Sequence, residues 1–531
     1  MRNKLLVLSS LLGLLFCYGN ASTAEFCDDQ YYVSQSLPNG ATWDMCWTQD
    51  DKQGIRYHHV FYQPKDETRR MVLYDASIAQ IHVPYDDNGA RYHDVSDFGL
   101  GADNLVALQQ AECSNGQLGY YNSKAAICQQ VINGGAAYRS GTSTKQQSYL
   151  KLFSISDVGE YLYSSSWKFY GDGRIIPSIE ATGSLQRFGG LDKEQHGWLM
   201  SNNSEGSVGL AHMHNFFWRL DFDLDGTGNS SSIDTNDTVQ EINYSDYAGK
   251  RYRELTTFTQ EQARSVNPTS MRSWLVKDSN TTNSKGHNIA YEVRLNQAGQ
   301  REIGPTFEPF TNNDFFVSKA KSCERIASHN QRVFADCSTN NLNEFVDGES
   351  IQGQDIVAWV GVSFYHMPRS EDAPYMDSHE STFEIIPRGW HTSNPMLDEA
   401  PTTQLRLSAS EDRATTDNKS SILINVLAND TGSNITFNTL DDPANGTARI
   451  VGNQVEYTPD TGFVGIDSFW YSIKDSTGTP FGTKIYVTVT EPEVTTSSVS
   501  SGSGGGSLSG SFIFLLCLLG SYKWFSRKYK H

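Results

Sequence analysis

Residues 211–226 read Ala-His-Met-His-Asn-Phe-Phe-Trp-Arg-Leu-Asp-Phe-Asp-Leu-Asp-Gly. Side chains alternate across a strand, so His212 and His214 share one face and can share a metal. Imidazole suits copper, zinc or iron. Asp221, Asp223 and Asp225 also alternate, and three carboxylates on one face repel unless a cation or hydrogen bonds offset them. Gly226 falls where an EF-hand loop has its glycine, but Ser232 stands where that loop needs a bidentate Glu. The stretch is therefore no EF-hand. A calcium-type site and a solvated acidic strand end both fit it.

Working outward, Arg219–Leu224 and Ile356–Phe364 are strand-like, with turn residues between such runs. Helical periodicity is scarce, and a helix is expected only in short pieces such as Asn104–Glu112. The fold expected is mainly β: a large antiparallel β-sandwich followed by a small Ig-like one. At 38% hydrophobic and 12% aromatic residues, the chain can build a sizeable core. Its formal net charge of -19 repels phosphate backbones, which argues against nucleic-acid binding.

Five segments are expected. Residues 1–24 form a secretory signal peptide, with Arg2 and Lys4 before an apolar run and small residues at Ala21–Ala24. Residues 25–400 form the large domain. Residues 404–492 resemble bacterial Ig-like or cadherin-like modules and close on alternating Ile485, Val487 and Val489. Residues 493–511 are a Ser/Gly linker. Residues 512–531 are a short apolar stretch with a basic end, below the roughly 17–25 residues of a stable span. Together these last two segments resemble the Gly-Gly sorting signal of Gram-negative bacteria. That resemblance implies an exported protein in the periplasm or at the cell surface, or released, with membrane contact only through the C-terminal segment. Six cysteines remain in the mature region, and export and clustering favour the pairs Cys27–Cys46, Cys113–Cys128 and Cys323–Cys337.

A third element, His366-Met367-Pro368-Arg369-Ser370-Glu371-Asp372-Ala373-Pro374, follows the strand-like run at 356–364. With 212–226 it resembles the copper amine oxidases that carry a self-made topaquinone. Their His-x-His followed by Arg-Leu-Asp-x-Asp-x-Asp-Gly is reproduced, as is the spacing of His, Glu, acid and Pro at 366–374. Gly361 replaces a Thr of the second motif. The resemblance covers about residues 43 to 392. It implies copper on His212, His214 and His366. It also implies a calcium-like site from Asp221, Asp223 and Asp355 with the carbonyls of Phe222 and Ile356.

Two further stretches extend the resemblance. Val83-Pro84-Tyr85 matches the tyrosine that hydrogen-bonds the quinone. Tyr92-His93-Asp94 through Gly101 matches the general-base segment, which places Asp94 on the base and Tyr92 at an aromatic channel gate. Tyr92 in that place points to an aromatic or medium-sized monoamine. Cys113 and Cys128 match a family disulfide. Val158-Gly159-Glu160-Tyr161-Leu162-Tyr163 matches the quinone motif, so Tyr161 is the topaquinone precursor, with Glu160 for the family's Asn and Leu162 for its acid. The implied activity is oxidative deamination of primary amines with O2 to aldehyde, ammonia and hydrogen peroxide, by a homodimer. The alternative is a copper-binding but catalytically inactive surface relative, motivated by Glu160 and Leu162. A zinc hydrolase ranks last, because no activating carboxylate of the His-Glu-x-x-His kind accompanies the histidines.

Overall fold

The computed structural model describes residues 25–492 apart from 141–142, 190, 202–206, 228–234, 248, 297–303, 331–338, 398–406, 433 and 476–479. The signal, the linker and the C-terminal segment lie outside the described residues. Among the described residues no helix is long and apolar enough to cross a membrane. The chain divides into two units, Met1–Thr402 and Thr403–His531.

The first unit is built on two large antiparallel sheets. One runs Tyr32–Ser36, Thr42–Asp50, Gly54–Gln63, Arg70–Pro84, His212–Phe222, Ile356–His366, Phe315–Lys319, Gln262–Arg264, with Arg91–His93 added beside Arg70–Pro84. The other has Ser143–Val158, Tyr161–Tyr170 and Ile175–Gly183 near its middle. They face each other through aromatic contacts. The ring of Trp43 lies 5.1 Å from that of Phe169, and Tyr57 lies 5.7 Å from Trp167. Trp43, Trp167 and Trp218 are fully buried, and truncating one to Ala costs roughly 3–5 kcal/mol.

Every residue of His212–Phe222 is buried. The even positions Phe216, Trp218 and Leu220 join the core between the sheets. On the other face, Phe217 packs with Ala79, Phe310, Phe316, Phe345 and Trp359. A strand covered on both faces reads as an almost unbroken apolar run, so its polar residues stand out. Gly361 lies opposite Phe217 in the ladder. A side chain there would meet the Phe217 ring at 2.9 Å, so the ring fills the space a side chain at 361 would occupy.

Two disulfides join Cys27 to Cys46 and Cys113 to Cys128. Cys323 is also disulfide-bonded, and its expected partner Cys337 lies outside the described residues. The helix expected at Asn104–Glu112 is not formed. A single 3-10 turn covers Ala102–Asn104. Beyond it the backbone runs against the sheet, with Val106 N–H donating to Ile155 O (2.8 Å) and Leu108 N–H to Ala125 O (2.9 Å). These donors satisfy the sheet rather than a helical ladder.

In the second unit, Asp412–Asp417, Phe481–Thr490, Gly465–Lys474 and Thr436–Leu440 form one sheet, and Ile422–Ile424, Gln454–Pro459 and Gly446–Val451 another. Tyr457, Phe469, Tyr471, Ile485, Val487 and Val489 fill the core they share.

Candidate metal centre and its cavity

Alternation along the strand points His212 and His214 the same way, and their Nε2 atoms lie 3.1 Å apart. His366 is paired with His212 across the ladder, and the two rings are 5.0 Å apart. All three are buried, and each offers one nitrogen within 4.8 Å of the others.

Hydrogen bonds fix which nitrogen carries the proton on two of the three rings. His212 Nδ1 lies 2.8 Å from Leu210 O, which assigns the proton to Nδ1 and leaves Nε2 as acceptor. His366 Nε2 lies 3.1 Å from Asp372 Oδ2. That carboxylate is itself fixed by Arg369, whose backbone N–H donates to Oδ2 and whose Nε donates to Oδ1, both at 3.0 Å. His366 Nδ1 is thereby freed, and neither it nor His214 Nδ1 has a hydrogen-bond partner. Burial, then the neighbouring His366, holds His212 down at about 3. Burial, then His212, holds His214 well below the usual histidine range. Three neutral, converging imidazoles are a donor set that copper or zinc fits, and a carboxylate behind one of them is a common support for such a ligand.

Tyr161 opens the opposing strand and faces this cluster. Its hydroxyl is 2.6 Å from His212 Nε2, and its ring stands edge-on to His214 at 5.0 Å. Tyr85 shares a hydrogen bond with the Tyr161 hydroxyl, and its ring lies 4.7 Å from that of His212. Asp94 begins a one-turn helix, Asp94–Asp97. It is 6% exposed and accepts a hydrogen bond from the Tyr163 hydroxyl at 2.7 Å. Burial raises it to about 7, against the pull of the Tyr163 hydrogen bond and with a smaller push from Asp97. Tyr85, Tyr92, Asp94, Glu160, Tyr161 and Gln186 line one cavity of about 210 Å³. Gln186 Nε2 donates to the Tyr92 hydroxyl at 3.1 Å.

At the other end of the same strand, Asp221, Asp223 and Asp355 all bear on the Tyr74 hydroxyl and help to raise it, after burial. Asp221 is paired with Arg219 Nη1 at 3.0 Å, and burial still raises it to about 6. Among the described residues these carboxylates are not one of the groups whose ligand atoms all lie within 4.8 Å of one another. A further buried group does meet that distance, His82, His93 and Glu308. Arg91 already holds both Glu308 oxygens, one of them at 2.8 Å, so the group has its counter-cation.

Tyr163, Asp372 and Gln186 are participants that the sequence alone does not single out. Tyr163 is two residues from Tyr161, so period two puts it on the same face; that signal was available. Asp372 was visible as an acid of the motif, but not as the partner of His366.

A match to the copper amine oxidase enzyme domain spans residues 39–406, and one to a bacterial Ig domain spans 398–490. The primary amine oxidase of Pisum sativum is 25% identical over 384 residues, covering 63% of this chain and 55% of that protein. The primary amine oxidase of Arthrobacter sp. (strain P1) is 24% identical over 376 residues, covering 65% and 57%. This chain thus spans about half the length of these curated relatives. Among solved structures, a copper-containing benzylamine oxidase from Hansenula polymorpha superposes with a TM-score of 0.56 at 19% identity, covering 68% of this chain and 62% of that one. The amine oxidase of Aspergillus nidulans gives 0.57 at 17%, covering 75% and 56%. With the enzyme-domain match running through Asp94, Tyr161 and all three histidines, the chain belongs to the copper amine oxidase family.

Proposed function

We propose that this protein is an exported oxidase that uses copper and a topaquinone made from Tyr161 to convert primary amines and O2 into aldehydes, ammonia and hydrogen peroxide. One observation carries the proposal: the Tyr161 hydroxyl sits 2.6 Å from His212 Nε2, in a cavity wall shared with the buried carboxylate of Asp94. His212, His214 and His366 would hold the copper. Bound copper and the quinone supply an electrophilic carbonyl for the amine nitrogen and a route for electrons to O2. The side chains do the remaining work. Asp94 takes the proton from the carbon bearing the amino group, and a base raised to about 7 is matched to neutral pH. Tyr163 fixes the carboxylate, and Tyr85 restrains the ring at 161. Tyr92 and Gln186 frame the approach.

A second reading, a copper-binding surface protein without turnover, is motivated by Glu160 and Leu162. Leu162 alternates away from Tyr161 and is exposed, so of the two only Glu160 lines the cavity. We further propose a calcium-type cation at Asp221, Asp223 and Asp355 with the carbonyls of Phe222 and Ile356. A homodimer is proposed too, as is delivery to the periplasm or cell surface of a Gram-negative bacterium, or release, with membrane contact only through residues 512–531.

The test is to purify residues 25–492 free of metal and add Cu²⁺ in air. Visible absorption is then followed, with phenylhydrazine as carbonyl trap. The expected outcome is a chromophore that reacts with the trap and is missing in Tyr161→Phe, which still binds copper. Copper without a chromophore would establish the second reading. Elemental analysis of the same sample, after dialysis against calcium, checks for one calcium per chain. Sedimentation reports its assembly, and fractionation of cells expressing the full chain reports its destination.

A further inference from the structure

We propose that Glu160 is a specificity-determining residue that pairs with a second, distal cationic group of the substrate. On this account the cavity favours short dicationic amines over apolar monoamines of equal length, a correction to the monoamine that Tyr92 alone suggests. The proposal rests on the amine-oxidase reading above.

Local structure places Glu160 where it can act. Val158 pairs with Tyr161 across the hairpin, so Gly159 and Glu160 alone form the turn. Gly159 has φ +66, and a glycine with positive φ at the first central position is the signature of a tight two-residue hairpin. The turn is docked rather than free. Glu160 O accepts the Ser184 N–H at 3.0 Å, and Glu160 Oε2 accepts the Ser184 hydroxyl at 3.1 Å. Gly183 permits the docking, because a Cβ there would lie 2.3 Å from Glu160 O, and its own φ is +123. The carboxylate is thus held in place before any ligand arrives, which reduces the ordering cost of binding.

Glu160 lines the same cavity as Tyr85, Asp94, Tyr161 and Gln186. Its charge reaches the interior, since it adds to the forces that raise Tyr85. Among the described residues no lysine or arginine pairs with it. The cavity therefore has two carboxylates of different character. Asp94 is buried and tied to a tyrosine; Glu160 is exposed and open to a cation. A primary amine must present a neutral nitrogen to an electrophile, so a fixed negative charge does nothing for that reacting nitrogen. It favours a cation elsewhere on the same molecule.

The experiment compares 1,4-diaminobutane with butylamine on the copper-loaded wild type, Glu160→Gln and Glu160→Asn. Gln keeps the shape and the Ser184 contact but removes the charge. The wild type is expected to prefer the diamine in kcat/KM, and both variants to lower that preference roughly three- to five-fold, as for an exposed ion pair. The wild-type preference should also shrink as salt rises. An unchanged diamine-to-monoamine ratio in Glu160→Gln overturns the proposal. If no variant turns over any amine, the amine-oxidase reading has failed, and calorimetry on the metal-free protein decides separately about Glu160. Tighter diamine than butylamine binding that is lost in Glu160→Gln supports the pairing; equal or undetectable binding overturns it.

Discussion

The two ends of the strand His212–Phe222 were built from the same device, polar residues at alternate positions, and they end in opposite electrostatic states. At the histidine end, three buried imidazoles are neutral and His214 and His366 keep unpartnered Nδ1 atoms. At the acidic end, arginines converge on the carboxylates. Asp75 is held at about 2, against burial, by Arg325, Arg219 and Arg56, and Asp225 is paired with Arg70 at 2.6 Å. One end offers lone pairs to a cation from outside. The other carries much of its compensating charge within the chain, so a calcium-type ion there would add to charge pairing already present. Alternation alone does not distinguish the two ends; the partners across the sheet do.

The largest effect is expected from Asp94, the raised carboxylate near the histidines. Asp94→Asn should lower kcat by about 10²–10⁴-fold with copper content unchanged. In the wild type kcat/KM should rise with pH through about 7, as Asp94 loses its proton, and the variant should lose that limb. The stability sign is the reverse. An acid raised in the folded state binds protons there that the unfolded chain has released, so folding weakens as pH rises from about 4 to 7. Metal-free Asp94→Asn should therefore melt higher than wild type above about pH 7. A lower melting temperature would mean that the Tyr163 hydrogen bond outweighs the burial cost.

Next in size is Arg219→Leu. Arg219 is 3% exposed and serves both Asp75 and Asp221. Its removal leaves buried carboxylates short of a partner, which costs about 3–5 kcal/mol. Urea melts should show this loss, and it should shrink as pH falls toward about 6, because Asp221 without Arg219 takes up its proton above the wild-type value. Copper affinity should stay within a few-fold of wild type. A collapse of copper binding would show the two ends to be coupled through the strand. The smallest effect is expected for Asp372→Asn. It weakens the support behind His366 and should raise the copper Kd by about 10–100-fold, with little change in the metal-free melt. No change in Kd would demote Asp372 to a role in positioning Arg369.

Legibility in the sequence followed the range of the interaction. The strand bearing His212 and His214 was legible because period two is local, and the small β-sandwich was legible from alternating Ile485, Val487 and Val489. Tyr161, Asp94 and His366 came from motif spacing, and the structure brings them around one cavity and one cluster. The arginine clamp was not legible, because residues 56, 219 and 325 are remote in sequence and meet only when strands pair. The segment 104–112 misled for a related reason: its amides at Val106 and Leu108 bond to neighbouring strands rather than along a helix. Gly361 read as a departure from a motif until the ladder set it against Phe217.

Tyr161 is paired on both sides, with Val158 along one edge and Gly183 along the other. A residue so clamped has no freedom to swing as part of a loop. Whatever reorientation oxidation or turnover demands of its ring must be supplied by two side-chain torsions alone. The phenol thus behaves as a rotor on a fixed axle, with Tyr85 and His212 setting its detents. Turns of that rotor leave the main chain still, and because the ring is buried they are limited by the packing around it rather than by the opening of a lid.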